Sequence, residues 1–147
     1  MLATSSFLYP LQARSLRTKT DKLQHILRPK FQNSSSHYAS GHYSSAVHRA
    51  YEALIVAVRD KAGRPDLDGR DLMFQAFNEQ NPILHISDDP AIQEGYKFLF
   101  AGAIGAIRNP QAHTTEESLS QEEAIEMLTV CTHLFRLLES STQVQCS

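Results

Sequence analysis

An arginine, an asparagine and a histidine that could act together on a phosphate lie within one six-residue stretch, Arg108 to His113. The stretch reads Arg-Asn-Pro-Gln-Ala-His and follows an apolar segment with helical periodicity. Arginine carries a permanent planar cation whose N–H fork suits a phosphate, and histidine exchanges a proton near neutral pH. Fixed together, Arg108 and His113 could cut a phosphodiester without a metal ion, because one group moves protons while the other stabilises charge on the phosphoryl oxygens.

A long amphipathic helix over residues 42–62 is the strongest structural signal. Its apolar residues recur every three or four positions for four turns, and Gly63-Arg64-Pro65 ends the pattern. Residues 69–78 indicate a short helix, residues 81–87 a loop with a brief extended segment, and residues 23–38 a further helix that Pro29 interrupts. No alternating strand pattern is present, so the predicted fold class is all-α: a compact antiparallel helical bundle of three long helices with one or two short ones.

The other two long helices carry clear start signals. Asp89 followed by Pro90 is typical of a helix start, and this helix should end or kink near Asn109 because Pro110 disfavours a helical residue before it. The last helix begins at about Ser120, where Glu123 completes a capping box. The candidate stretch therefore follows the second long helix.

Small residues fill the segment 101–106, Ala-Gly-Ala-Ile-Gly-Ala. Two glycines inside a helix cost about 1 kcal/mol each relative to alanine, so they require a close neighbour. That neighbour could be another helix of the same bundle. It could equally be a second copy of the chain, which would bring two copies of Arg108 and His113 together.

Charged residues are unevenly distributed along the chain. The net charge is −2, yet residues 1–40 hold six basic residues and one acidic residue, a net charge of +5, which leaves −7 for the rest. We predict a basic, flexible N-terminal extension over residues 1–21, a helical domain over residues 22–140 and a flexible tail over residues 141–147. The extension could touch nucleic acid or could be an ordinary solvated tail.

Several functional classes have no support in the sequence. No apolar run is long enough to cross a membrane, and the spacing of the His and Cys residues predicts no metal site. No glycine-rich phosphate loop is present, so no cofactor is expected. Two cysteines among 147 residues do not suggest a disulfide framework, and a reducing cytoplasm is the expected location.

The segment 41–54, Gly-His-Tyr-Ser-Ser-Ala-Val-His-Arg-Ala-Tyr-Glu-Ala-Leu, together with Arg108-Asn109-Pro110 and His113, resembles the HEPN superfamily. The nearest resemblance is to its Ymh-type branch of prophage and defence-associated proteins, over about residues 22–140. The resemblance implies a dimeric helical bundle whose arginine, polar residue and histidine form a metal-independent endoribonuclease site. It also implies a toxin, abortive-infection or RNA-processing role, with a cognate antitoxin or inhibitor protein as a further partner. Thr115 stands where one branch has a modifiable tyrosine, so that mode of control is not expected.

RNA chemistry fits these residues because the 2′-hydroxyl of RNA is a built-in nucleophile. His113 is the predicted proton-transfer group, Arg108 the phosphate clamp and Asn109 an orienting hydrogen-bonding group. The expected products are a 2′,3′-cyclic phosphate and a 5′-hydroxyl. Since one chain offers one such histidine, a homodimer would supply both the acid and the base.

Each assignment has a structural alternative. His113 could bond the last carbonyls of the preceding helix, and Arg108 could pair with an acid such as Glu52. His48, Arg49 and Glu52 are secondary candidates, because they lie on the less apolar face of the long helix. The rival function is a non-catalytic helical module that binds a protein partner or RNA. The acidic body of the chain favours that rival, because a nuclease should offer its substrate a positive surface.

Overall fold

The computed structural model describes residues 32–113 and 119–144, with the backbone alone at residues 32, 33, 112 and 113. The described segments are mostly helical, so the all-α prediction is confirmed. The helices are α1 (Gln32–Ala39), α2 (Tyr43–Ala62), α3 (Gly69–Ala76), α4 (Pro90–Ala103), α5 (Asn109–His113) and α6 (Gln121–Ser140). A π-helical turn, Ile104–Arg108, joins α4 to α5 without a break.

Three of the predicted helix boundaries lie where the sequence signals placed them. Gly63 ends α2 in the left-handed region at φ 63°, which a residue with a Cβ rarely adopts. The Asp89 carboxylate accepts the Ala91 N–H at 2.8 Å at the start of α4. Ser120 and Glu123 form the capping box of α6. These local contacts fix the lengths of the helices that carry the candidate residues.

Helix α2 is the central element of the bundle. It packs against α1 and α6, and also against α3, the π-helical turn and α5. Its buried stripe includes Tyr51, whose hydroxyl donates to the Met127 carbonyl of α6 at 2.9 Å. Burial raises the pKa of the Tyr51 hydroxyl and that of the Cys131 thiol. At the far end, the Lys61 ammonium donates to the Leu138 and Ser141 carbonyls, at 2.6 Å each, and so closes the end of α6.

The loop before α4 is held by a buried glutamine. The Gln93 amide nitrogen donates to the Leu84 carbonyl at 3.0 Å, and its oxygen accepts from the Ile86 and Ser87 N–H groups at 3.0 and 3.1 Å. Every polar atom of this buried side chain is thereby satisfied. Within this loop, strand β1 (Leu84–His85) pairs antiparallel with β2 (Thr142–Gln143), which belongs to the segment predicted as a tail.

The helix that carries the candidate stretch does not end at Asn109. Asn109 keeps helical backbone angles, φ −64° and ψ −44°, although Pro110 follows it. Its N–H bonds the Ile104 carbonyl, five residues back. A proline ring clashes with the carbonyl four residues before it, and the wider π-helical turn relieves that clash while the chain stays helical. The irregularity expected at Asn109 therefore lies in the turn before it.

Candidate functional site

Arg108 is fixed at the seam between the π-helical turn and α2. Its Nε donates to Glu52 Oε1 at 2.6 Å, and its Nη2 donates to the same oxygen. Its Nη1 donates to Asn109 Oδ1 at 3.0 Å. The side chains of Arg108 and Glu52 are 26% and 38% exposed, so solvent still reaches the pair. The arginine is held in one orientation at a place that a ligand can reach.

The π-helical turn decides where Arg108 points. A π-helical turn inserts one extra residue into the helix, which rotates every later side chain by about 100° relative to an uninterrupted α-helix. The turn ends at Arg108 itself. Such turns are frequent at functional sites, and this one accounts for the approach of Arg108 to α2. The only signal for it in the sequence is Pro110.

His113 is the last residue of α5. Its backbone therefore lies on the same helical segment as Arg108 and Asn109, five residues after the arginine. The position of its imidazole lies outside the described part of the structure. The prediction that His113 moves protons stays a prediction, as does the alternative that it bonds the carbonyls of the preceding helix.

The three secondary candidates all lie on α2. Glu52 contacts Arg108, as the structural alternative for the arginine predicted. His48 lies one turn before Glu52 and is half-buried, and Arg49 is exposed. Side chains three or four residues apart are neighbours on a helix, so His48 and Arg49 both flank the Arg108–Glu52 pair. The structure thus brings Glu52 to Arg108, while His48 and Arg49 lie one turn before Glu52 on the same helix.

Three buried polar atoms have no hydrogen-bond partner among the described residues: Ser44 Oγ, His48 Nδ1 and Gln111 Oε1. Ser44 and His48 occupy successive turns of α2, and Gln111 lies one turn after Arg108. An unpaired buried polar atom costs about 1–3 kcal/mol, and native proteins rarely contain several of them close together. Gln111 was not identified from the sequence, because a glutamine within a helix carries no signal of its own.

The exposed face of α4 leads to the same seam. Ile92 and Leu99 are 51% and 42% exposed, although both belong to the apolar pattern that predicted this helix. A Cβ added at Gly102 would meet nothing within 4 Å, whereas one at Gly105 would lie 3.2 Å from Arg70 Cδ. Packing within the bundle therefore accounts for Gly105 but not for Gly102.

The remaining observations on the site concern a tyrosine of α1, metal ions and membranes. Tyr38 is buried and its hydroxyl accepts a hydrogen bond from Gln121 at 3.1 Å, so its ring is not available for stacking on a base. Among residues 32–113 and 119–144, no cluster of three or more His, Cys, Asp or Glu side chains could hold a metal ion. In the same part of the chain, no helix has the length and apolar character needed to span a membrane.

The comparisons with known proteins give one family. The model of that family, described as "Protein of unknown function (Hypoth_ymh)", matches residues 30–138. The match includes α2, the π-helical turn and α5, which together build the seam. No curated protein and no solved structure matches the chain.

Proposed function

We propose that this chain, which belongs to the Hypoth_ymh family of proteins of unknown function, is a metal-independent endoribonuclease of the HEPN type. The observation that carries the proposal is the placement of Arg108: a π-helical turn directs it onto α2, on the helical segment that ends at His113. The arrangement joins a fixed cation to a residue that can exchange protons, which is the equipment that cutting RNA requires.

Glu52 and Asn109 hold Arg108 ready for a phosphate. The guanidinium has five N–H donors, and three of them bond Glu52 and Asn109. One N–H on Nη1 and one on Nη2 remain for the phosphoryl oxygens. A cation oriented before the substrate arrives needs no rearrangement as charge develops on the phosphate. The ion pair therefore supports the clamp role as well as the structural one.

The proposed reaction consumes no water. The 2′-oxygen loses its proton to a base and forms a bond to phosphorus while the bond from phosphorus to the 5′-oxygen breaks. An acid gives a proton to the departing 5′-oxygen. The products are a 2′,3′-cyclic phosphate and a 5′-hydroxyl, with His113 as a proton-transfer group and Arg108 on the phosphate. Histidines in such roles contribute about 10²–10⁴-fold in rate.

Arg49 provides a further cation for the RNA backbone. It is exposed and lies three residues before Glu52 on α2, so it extends the positive surface from Arg108. The six basic residues among residues 1–40 all lie outside the described part of the chain.

The proposed substrate is RNA, and the cytoplasm is the proposed location because Cys131 is a free, buried thiol. The proposed biological role is a toxin, an abortive-infection effector or an RNA-processing enzyme, with a cognate antitoxin or inhibitor protein as a partner.

A homodimer is part of the proposal. Exposed residues recur every three or four positions along α4 and beyond it, namely Ile92, Gly95, Leu99, Gly102 and Ala106. This row ends two residues before Arg108, and Gly102 has room for another helix. A second copy packed on the row would bring two Arg108 stretches together.

Leu99→Glu should convert this dimer to a monomer, because it places a charge in the centre of an apolar contact. We expect the dimer dissociation constant to rise at least about tenfold, which corresponds to about 1.4 kcal/mol. Sedimentation equilibrium measures the change. Val130→Glu is the matched control, because Val130 is an exposed apolar residue on α6, 38% accessible, and is not part of the row. Equal dissociation constants for the two variants would contradict the proposed dimer face.

The rival is a catalytically inactive helical module that binds a protein partner or RNA. The Arg108–Glu52 pair favours it, since an arginine held by a carboxylate can serve the fold alone. This rival predicts that the folded chain binds a partner and leaves RNA uncut.

The test is cleavage of a mixed pool of structured and single-stranded RNA in excess EDTA. We expect the wild type to cut and to leave cyclic-phosphate ends, and His113→Ala to lose about 10²-fold or more in rate. His133→Ala is the control, because His133 is exposed on α6. A folded wild type that leaves the pool intact would favour the inactive module. Equal cutting by His113→Ala and the wild type would place the activity elsewhere.

A further inference from the structure

The seam beside Arg108 contains a second histidine whose environment is incomplete. His48 Nδ1 is closed off from solvent and has no partner among the described residues, and the same holds for Gln111 Oε1. One atom can carry a proton and the other can accept a hydrogen bond. The His48 ring is half-buried as a whole, and Nε2 is not among the buried unpaired atoms.

Three contacts show which turn of α2 faces Gln111. Near the end of α2, Arg59 bonds Asp68, the residue that precedes α3. Arg70, in the first turn of α3, lies beside Gly105. Three residues later, Arg108 bonds Glu52, which lies seven residues before Arg59 on α2. The segment from Gly105 onwards thus runs towards the start of α2.

One further turn brings Gln111 to the level of His48. Gln111 follows Arg108 by three residues, and His48 precedes Glu52 by four. Side chains at these spacings are neighbours on their own helices. Because α5 and α2 pack together, these spacings place Gln111 and His48 at the same level of the seam, next to the Arg108–Glu52 pair.

We propose that His48 is the second proton-transfer group of this site and that Gln111 positions it. This inference rests on the proposed endoribonuclease function. In the structure the two atoms do not bond each other. In the complex with RNA, the Gln111 amide oxygen accepts a hydrogen bond from Nδ1–H, which leaves Nε2 unprotonated and facing the substrate. Hydrogen bonds of this kind are often long before substrate binds and shorten in the complex. A single chain then supplies two imidazoles, so the chemistry does not require a histidine from a second copy.

The proton balance assigns each group one task. Nε2 of His48 takes the proton of the 2′-hydroxyl as the 2′-oxygen attacks phosphorus. Arg108 holds the phosphoryl oxygens while the bond to the 5′-oxygen breaks. His113 gives its proton to that oxygen. After product release, His48 holds one extra proton and His113 lacks one, and exchange with solvent restores both.

The first experiment compares His48→Gln with His133→Gln on a substrate that the wild type cuts. We expect His48→Gln to lose about 10²–10⁴-fold in kcat with KM within about threefold of the wild type, and His133→Gln to match the wild type. A loss of less than tenfold in kcat would overturn the role of His48. If His48→Gln fails to fold, as judged by circular dichroism, His48→Asn takes its place.

The second experiment reads the tautomer of His48 directly by nitrogen-15 NMR, with a 2′-deoxy oligonucleotide bound, which lacks the nucleophile and is not cut. We expect the proton on Nδ1 in the wild type and on Nε2 in Gln111→Leu, which lacks the acceptor but keeps a similar volume. A wild-type ring protonated on Nε2, or a tautomer that Gln111→Leu leaves unchanged, would overturn the pairing. If the wild type cuts no RNA, the proposed function fails and the catalytic part of this inference fails with it. If the wild type cuts RNA and His48→Gln cuts it equally fast, the role of His48 is refuted while the proposed function stands.

Discussion

Arg108→Ala should lose about 10²–10³-fold in the rate of RNA cleavage, because it removes the cation that stabilises charge on the phosphate. Arg108→Lys should recover only part of that rate. A lysine keeps the charge but lacks the planar fork that contacts Glu52, Asn109 and a phosphate at the same time. Single-turnover cleavage in excess EDTA measures both variants, and circular dichroism checks that each is folded.

A double variant separates the catalytic role of Arg108 from its structural role. Arg108→Ala leaves Glu52 unpaired at the seam, at a cost of about 1 kcal/mol for a partly exposed pair. Arg108→Ala combined with Glu52→Ala should regain much of that stability, because no unpaired charge remains. Cleavage by the double variant should stay as low as in Arg108→Ala. Recovery of cleavage together with stability would show that Arg108 serves only the fold.

Phe100→Ala should destabilise the protein by about 3–5 kcal/mol, the cost of emptying a large buried site. Phe100 is fully buried on α4, and its ring stacks on Phe77 with 4.2 Å between ring centroids. The loss combines apolar burial with a direct aromatic contact. Urea unfolding followed by circular dichroism measures the free energy of unfolding. Such a loss would remove much of the stability of a typical domain.

Phe98→Ala provides the matched control, because Phe98 lies two residues earlier on the same helix and is 54% exposed. It touches Phe74 edge-to-face at 6.2 Å between ring centroids, and the Lys97 ammonium lies 4.8 Å from its ring centroid. Partly solvated contacts of this kind contribute about 1 kcal/mol or less. If the two variants lose equal stability, the Phe77–Phe100 stack does not hold α4 to the bundle.

The sequence by itself determined the helices that carry the site. Gly63 ends α2, Asp89 and Pro90 begin α4, and the Ser120 capping box begins α6. These signals act through contacts between residues at most four positions apart, so they can be read without knowledge of the fold. The five-residue spacing between Arg108 and His113 is equally local, because residues on one helical segment have a fixed position relative to each other.

Only the tertiary structure decided which residues the segment from Arg108 to His113 contacts. Glu52 lies 56 residues from Arg108 in the chain; the sequence offered it as one possible acid, and only the packing of the helices made the contact. Pro110 predicts a break, yet packing against α2 keeps the chain helical through the π-helical turn. The proposed pairing of Gln111 with His48 likewise depends on the packing of α5 against α2. Contacts between distant residues depend on how whole helices pack, and a local pattern carries no record of that packing.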